Sequence, residues 1–283
     1  MDTFTHALFP FLSGKVAKKD AETCMALLIG GLAPDFDLIF LFINAFFGSA
    51  LGSIPSTLLL YHRGITHSII FGILFSWLAL YVASRKPVLS VLNYFFKSKI
   101  SLAITPKLLF FTAIGTLSHL FLDFTTTYGI PLFYPFSLQR YSMELFFYID
   151  IYLTAASLAL TAYMFYKRGW LRTPFGASTG KIEVPYNKIF VAFIGVLLLF
   201  GGLRYAEKTA SAENFGTGID SVYPSFNPYV WYVVEQAPNG TEVTVFTFDS
   251  SNKKVLSQYE LNNTEFADIF PRHSFLVGRS IRN

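Results

Sequence analysis

Charge is what this chain of 283 residues has least of: Lys, Arg, Asp and Glu together make up 14%. A soluble globular domain carries about 25%, so an ordinary water-soluble protein is a poor fit. Cysteine is nearly absent. The single Cys24 excludes an intramolecular disulfide and any cysteine-rich zinc module. Low hydrophobicity and high net charge are both missing, which excludes disorder for most of the chain. There is no internal repeat and no low-complexity segment. What fills the chain instead is apolar: 53% hydrophobic residues, with 32 Phe and 16 Tyr and a mean hydropathy of +0.45. The net charge of +4 could suggest nucleic acid. Basic loops facing the cytoplasm account for the same excess in a membrane protein, and no aromatic platform stands beside them, so no nucleic-acid partner is expected.

A spanning helix needs about 20 mostly apolar residues. Residues 66–84, 107–127, 144–166 and 188–204 are read as four such spans. The first 65 residues hold three shorter apolar runs, 4–13, 22–33 and 36–52, the last two broken at Pro34. These are expected as short or re-entrant helices packed against the spans, because irregular backbone at membrane depth must be covered by protein. The basic residues follow the first apolar run instead of preceding it, so no cleaved signal peptide is expected. Arg85, Lys86, Lys97, Lys99 and Lys107 lie in one loop; Lys167, Arg168, Arg172, Lys181 and Lys188 lie in another. The loop between them, 128–143, has only Arg140. The positive-inside rule places both basic loops in the cytoplasm and the tail from residue 205 outside it. In that tail, 229–235, 242–248 and 255–261 read as strands, with a turn signal at Asn239-Gly240. The expected fold is mainly α: a polytopic membrane helical bundle over residues 1–204, with short or re-entrant N-terminal helices. A small extracytoplasmic β-rich domain over 205–283 completes it.

Polar residues inside apolar segments are costly and usually functional. His119 and Asp123 stand four apart and share a helix face; in the bland alternative they satisfy each other. His62 and His67 flank Gly64, with Thr66 or Ser68 able to cap the helix that follows. Asp35 and Asp37 follow Pro34, where capping could use one of them but not both. His6 lies near the start, and Asp150 within the third span. Imidazole and carboxylate without thiolate suit zinc, manganese or iron. Seven candidate ligands (His6, Asp35, Asp37, His62, His67, His119 and Asp123) exceed the three protein ligands of a catalytic zinc. The surplus points to two ions, or to ligands with supporting partners. Cys24 is expected in the core and His273 on the surface.

These stretches, MDTFTH, GGLAPDFD, YHRGITHS, HLFLDFTTTYGIPLFYPFS and FYIDIYLT, resemble the YdjM-like family of membrane-bound metal-dependent hydrolases from residue 1 to about 160. The resemblance implies a polytopic membrane protein with a divalent metal held by those seven residues, and Asp150 as a further candidate. Two functions are expected. The first is hydrolysis of a membrane lipid or lipid-linked phosphoester, with Asp37 or Asp150 taking a proton and Arg63 or Arg140 holding a phosphate oxygen. The second is a metal-stabilised scaffold or metal carrier.

Overall fold

The computed structural model describes residues 1–37, 63–96, 99–167, 183–218, 221–236 and 242–262. His62, His273, the Asn239-Gly240 turn and the apolar run beyond Asp37 lie outside them.

Local signals start and stop the helices. Helix α1 (Thr3–Val16) is capped by Asp2, whose carboxylate accepts from the Thr5 amide, and α2 (Ala21–Leu32) by Asp20, which accepts from Thr23. Pro34 lacks an N–H to continue the ladder, so α2 gives way to a 3-10 turn, Ala33–Asp37. A second 3-10 turn, Ile65–His67, leads into α3 (Ile69–Ala83), with Ser68 as its cap. Helix α4 (Lys86–Phe96) follows at an 83° bend. Helix α5 (Pro106–Phe124) starts with Thr105 as cap and Pro106 in its first turn. Helix α6 (Ile151–Lys167) and α7 (Tyr186–Phe215) complete the bundle, α7 ending on Gly216 at φ 64°.

Helices α5 and α7 are long and apolar enough to cross a membrane; α3 and α4 would add a third span if the bent pair counted as one. Two of the four expected spans are therefore shorter than the sequence suggested. Residues 66–68 belong to a turn and a cap, leaving α3 with 15 residues, or about 22 Å of rise against the ~30 Å of a bilayer core. Residues 143–146 bond sideways to the chain after α5, through Met143 N–H to Phe124 O and Leu145 N–H to Thr125 O. Helix α6 consequently begins only at Ile151. The expected short N-terminal helices are present as α1 and α2.

Helix α2 is the centre of the bundle, with an unbroken buried stretch from Thr23 to Leu28. An all-round apolar helix of this kind belongs inside. It meets α5 backbone to backbone: a Cβ on Gly30 would stand 2.0 Å from Thr112 O, and one on Gly115 2.2 Å from Leu27 O. Helix α7 is the opposite case. Its Leu198 and Leu199 are 70% and 80% exposed, as side chains facing lipid would be.

Three of the strands form as expected and a short fourth precedes them. Strands β1 (Val222–Pro224), β2 (Val230–Gln236), β3 (Glu242–Asp249) and β4 (Lys254–Asn262) make an antiparallel meander in that order. Trp231, Val233 and Phe248 share one face of it and pack with Ala212 of α7. Two buried cations of α7 make its ties, Arg204 to the sheet and Lys208 to the loop before α6. Arg204 lies 4.2 Å over the Trp231 ring and donates to Leu145 O at 3.2 Å and to Pro228 O. Lys208 donates to Met143 O at 2.9 Å.

Candidate metal centre

Six side chains drawn from positions 6 to 123, namely His6, Asp35, Asp37, His67, His119 and Asp123, converge at one end of the bundle. His119 and Asp123 sit on the last turns of α5, His6 on the first turn and a half of α1, and Asp35 and Asp37 on the turn after α2. His67 ends the turn before α3. His6, His67, His119 and Asp123 are all fully buried.

The nitrogen facing the centre is set by the partner of the opposite nitrogen. His119 Nδ1 lies 2.8 Å from the Gly31 carbonyl. A carbonyl only accepts, so Nδ1 carries the proton and Nε2 presents a lone pair inward. His67 Nδ1 lies 3.1 Å from Thr66 Oγ and 3.4 Å from Asp37 Oδ2. Thr66 donates its own proton to Asp37, at 2.9 Å, so the same assignment follows for His67. The two Nε2 atoms then face each other at 3.2 Å. Asp123 Oδ2 lies 3.3 Å from His67 Nε2 and 3.6 Å from His119 Nε2. Asp35 Oδ1 lies 3.7 Å and 3.6 Å from the same two atoms. Asp123 Oδ2 accepts no hydrogen bond among the described residues. Two lone pairs and two carboxylate oxygens therefore meet in a buried space, with no donor between them among the described residues.

A cation answers that arrangement. Four ligands at 2.0–2.2 Å from a tetrahedral zinc stand about 3.3–3.6 Å from one another, the edge being about 1.63 times the bond. The five edges given above run from 3.2 to 3.7 Å. Two ligand groups overlap here: His67, His119 and Asp123; and His6, Asp35 and His119. The ligand set thus fits a divalent ion.

His6 stacks on His119 with ring centroids 3.7 Å apart, and its Nε2 is 3.1 Å from Asp123 Oδ1. Its Nδ1 is buried without a partner among the described residues. Arg63 is fully buried. Its guanidinium donates to Asp123 Oδ1 at 2.8 Å, to Thr126 Oγ1 at 2.7 Å and to Thr127 O at 3.0 Å, and lies over the Tyr148 ring. Its backbone N–H donates to Asp37 Oδ2 at 3.1 Å. The Met1 amino group also contacts Asp123 Oδ1. Arg140 grips the loop from outside, donating to Arg63 O at 2.9 Å and Tyr128 O at 3.1 Å. Asp150 stands apart from these groups: its Oδ1 accepts from the Tyr152 and Leu153 amides at 3.1 and 3.2 Å and caps α6.

Sequence reasoning gave Thr66 only a capping role and did not pick out Thr126 or the Gly31 carbonyl. Thr66 and Thr126 lie inside the motifs but look like caps. The adjacent Gly30-Gly31 pair was the available signal, since glycine marks close backbone approach: a Cβ on Gly31 would stand 2.6 Å from His6 O.

The model of the family described as YdjM inner membrane protein matches residues 1–207, and the chain belongs to that family. Together with its two spanning helices, this makes it a multi-pass inner-membrane protein with a group of His and Asp residues able to hold a metal. No curated protein and no solved structure matches it.

Proposed function

We propose that this member of the YdjM family is a metal-dependent hydrolase acting on a lipid or lipid-linked phosphoester at the extracytoplasmic membrane face. The observation that carries the reading is the inward convergence of His67 Nε2, His119 Nε2, Asp123 Oδ2 and Asp35 Oδ1 with no donor among them. These four would hold the ion, zinc before manganese or iron, and His6 would complete a second position beside Asp35 and His119. When bound, the ion would supply Lewis acidity and lower the pKa of a bound water.

The chain's own groups do the rest. The Gly31 carbonyl holds the proton on His119 Nδ1, and Asp37 with Thr66 holds the one on His67 Nδ1. Arg63 fixes Asp123 through Oδ1 and leaves Oδ2 for the centre. Asp37, beside the ligands without belonging to the inner four, is the group we assign to take a proton from the nucleophile. Asp150 is given the capping role. The loop after Gly129 exposes Phe133 and Phe136 and suits the headgroup level, where aromatic side chains settle. We assign residues 1–204 to the membrane-embedded metal domain and 205–283 to an extracytoplasmic β-rich domain. The bundle end that carries the site lies opposite Lys15, Lys19, Arg85, Lys107 and Lys167, which supports that orientation.

One observation favours a second reading. Four buried ligand atoms, five of whose six separations match a tetrahedron, resemble the closed pattern of structural zinc, and a non-enzymatic metal scaffold or carrier would use it. Elemental analysis of the detergent-purified protein, followed by a lipid-hydrolysis screen against His119→Ala, separates the two. We expect bound metal and metal-dependent turnover. Metal without turnover on any lipid supports the scaffold. Absence of metal refutes both, and leaves a proton-holding His–Asp network.

A further inference from the structure

We propose that α4 lies in the plane of the membrane and binds the anionic phospholipid headgroups of the leaflet at the basic end of the bundle. This rests on the membrane embedding alone and is independent of the hydrolase reading.

Three observations place α4 at one end. It leaves α3 at an 83° bend, so α3 is followed by a helix nearly at right angles to it. With 11 residues it rises only about 16 Å. The chain then returns without crossing: Asn93 donates to Ile100 O at 2.9 Å and accepts from Ile100 N–H at 2.8 Å. Leu102 is buried in the same cluster as Leu80 and Ala83 of α3 and Leu108 of α5. The end of α3 and the start of α5 therefore share one end, and α4 joins them there.

The two faces of α4 differ. Leu89 and Leu92 pack on that core cluster, while Val88 and Val91, a turn apart on another face, are 37% and 54% exposed. Apolar side chains turned away from the core at the end of a span belong at the headgroup–acyl boundary. The flanks supply the charge. Between Ser84 and Pro106 the sequence carries Arg85, Lys86, Lys97 and Lys99 and no acidic residue. The surrounding turns add to it. Lys15 lies 5.4 Å from the Phe11 ring centroid, Lys19 5.4 Å from that of Phe111, and Arg85 3.7 Å from that of Tyr81, the amphipathic belt of an interface. Lys107 of α5 contacts Asp20, which ties the α1–α2 turn to the same end and holds the Asp20 carboxyl well below the usual carboxylate range. With Arg85, Lys86 and Lys99 beside an exposed apolar stripe, and Asp20 already paired with Lys107, this surface is complementary to an anionic leaflet.

The test uses the full chain in vesicles of phosphatidylcholine alone and of phosphatidylcholine with phosphatidylglycerol at about three to one. A fluorophore on Val91→Cys, in a Cys24→Ala background with an unchanged melting temperature, should be quenched by shallow lipid-borne quenchers and protected from aqueous iodide. In detergent, Lys86→Gln and Lys99→Gln should each weaken binding of fluorescent phosphatidylglycerol about fivefold, the effect of about 1 kcal/mol per basic residue at the surface. Quenching by iodide refutes the in-plane placement. A label quenched only by deep acyl-chain quenchers refutes it as well, and makes α3 and α4 one bent span. A lipid-quenched label with phosphatidylglycerol affinity unchanged in both variants overturns headgroup recognition.

Discussion

Replacing Gly115 with Ala adds one methyl group to a residue that touches no candidate ligand, yet it should loosen the metal centre. The new Cβ would stand 2.2 Å from Leu27 O, 2.9 Å from Gly31 N and 3.0 Å from Gly30 Cα. All three are backbone atoms, so no side chain can swing aside. An ordinary contact needs about 1 Å more than the shortest of these distances, and α2 and α5 must part by that much or tilt; such overpacking costs about 1–3 kcal/mol. The His119 Nδ1–Gly31 O bond crosses the same seam at 2.8 Å. Opened by about 1 Å it exceeds hydrogen-bond length, and leaving that buried donor unmet costs about 1–3 kcal/mol more. The whole effect is therefore about 2–6 kcal/mol, with His119 freed to rotate away from the centre. The assay pairs a thermal melt in detergent with metal retained after dialysis against a weak chelator. Gly195→Ala and Gly202→Ala are the controls. A Cβ at either meets nothing within 4 Å, so each should be neutral or stabilise α7 by up to about 1 kcal/mol, the difference in helix propensity. If Gly115→Ala melts like its controls and keeps its metal, the argument that helix spacing sets the centre is wrong.

Arg63→Ala should lower melting temperature and metal affinity together, the latter about 10- to 100-fold as for other groups that orient ligands, because Arg63 donates to Asp123 Oδ1 at 2.8 Å. Metal retained at wild-type affinity while lipid turnover alone falls would instead make Arg63 a substrate contact. Arg204→Ala removes the cation bonded to carbonyls on both sides of the junction, at about 1–3 kcal/mol. Limited proteolysis should then cut between Phe215 and Val230 while metal content holds; equal loss of metal would show that the sheet supports the centre. A reporter fused after Asn283 should behave as extracytoplasmic, and cytoplasmic activity there would reverse the orientation and move the site to the inner face.

By itself the sequence determined what depends on neighbours along the chain. Low charge and long apolar runs made this a membrane bundle, and Pro34 ended α2 where a missing N–H requires it. Strand alternation marked a sheet in the tail. The four-residue spacing of His119 and Asp123 placed both on one helix face. The candidate ligand residues were legible because a charge inside an apolar run stands out in any window. Tertiary structure decided everything that depends on partners far apart in the chain. Asp150 has the same local signature as Asp123, an acid among apolar residues, yet one caps a helix and the other faces three histidines. Nothing within a few residues of either tells them apart. Beside two candidate ligands Arg63 reads equally as a phosphate holder or as a carboxylate partner until Asp123, 60 positions later, is seen against it. The true start of α6 depended on Leu145 pairing with Thr125 instead of joining a helix. Which nitrogen of His67 and His119 points inward was settled by Asp37 and the Gly31 carbonyl, and that carbonyl is within reach only because glycines let two backbones touch. Periodicity records which face a residue occupies; which atom it meets there is set by the packing of helices against one another.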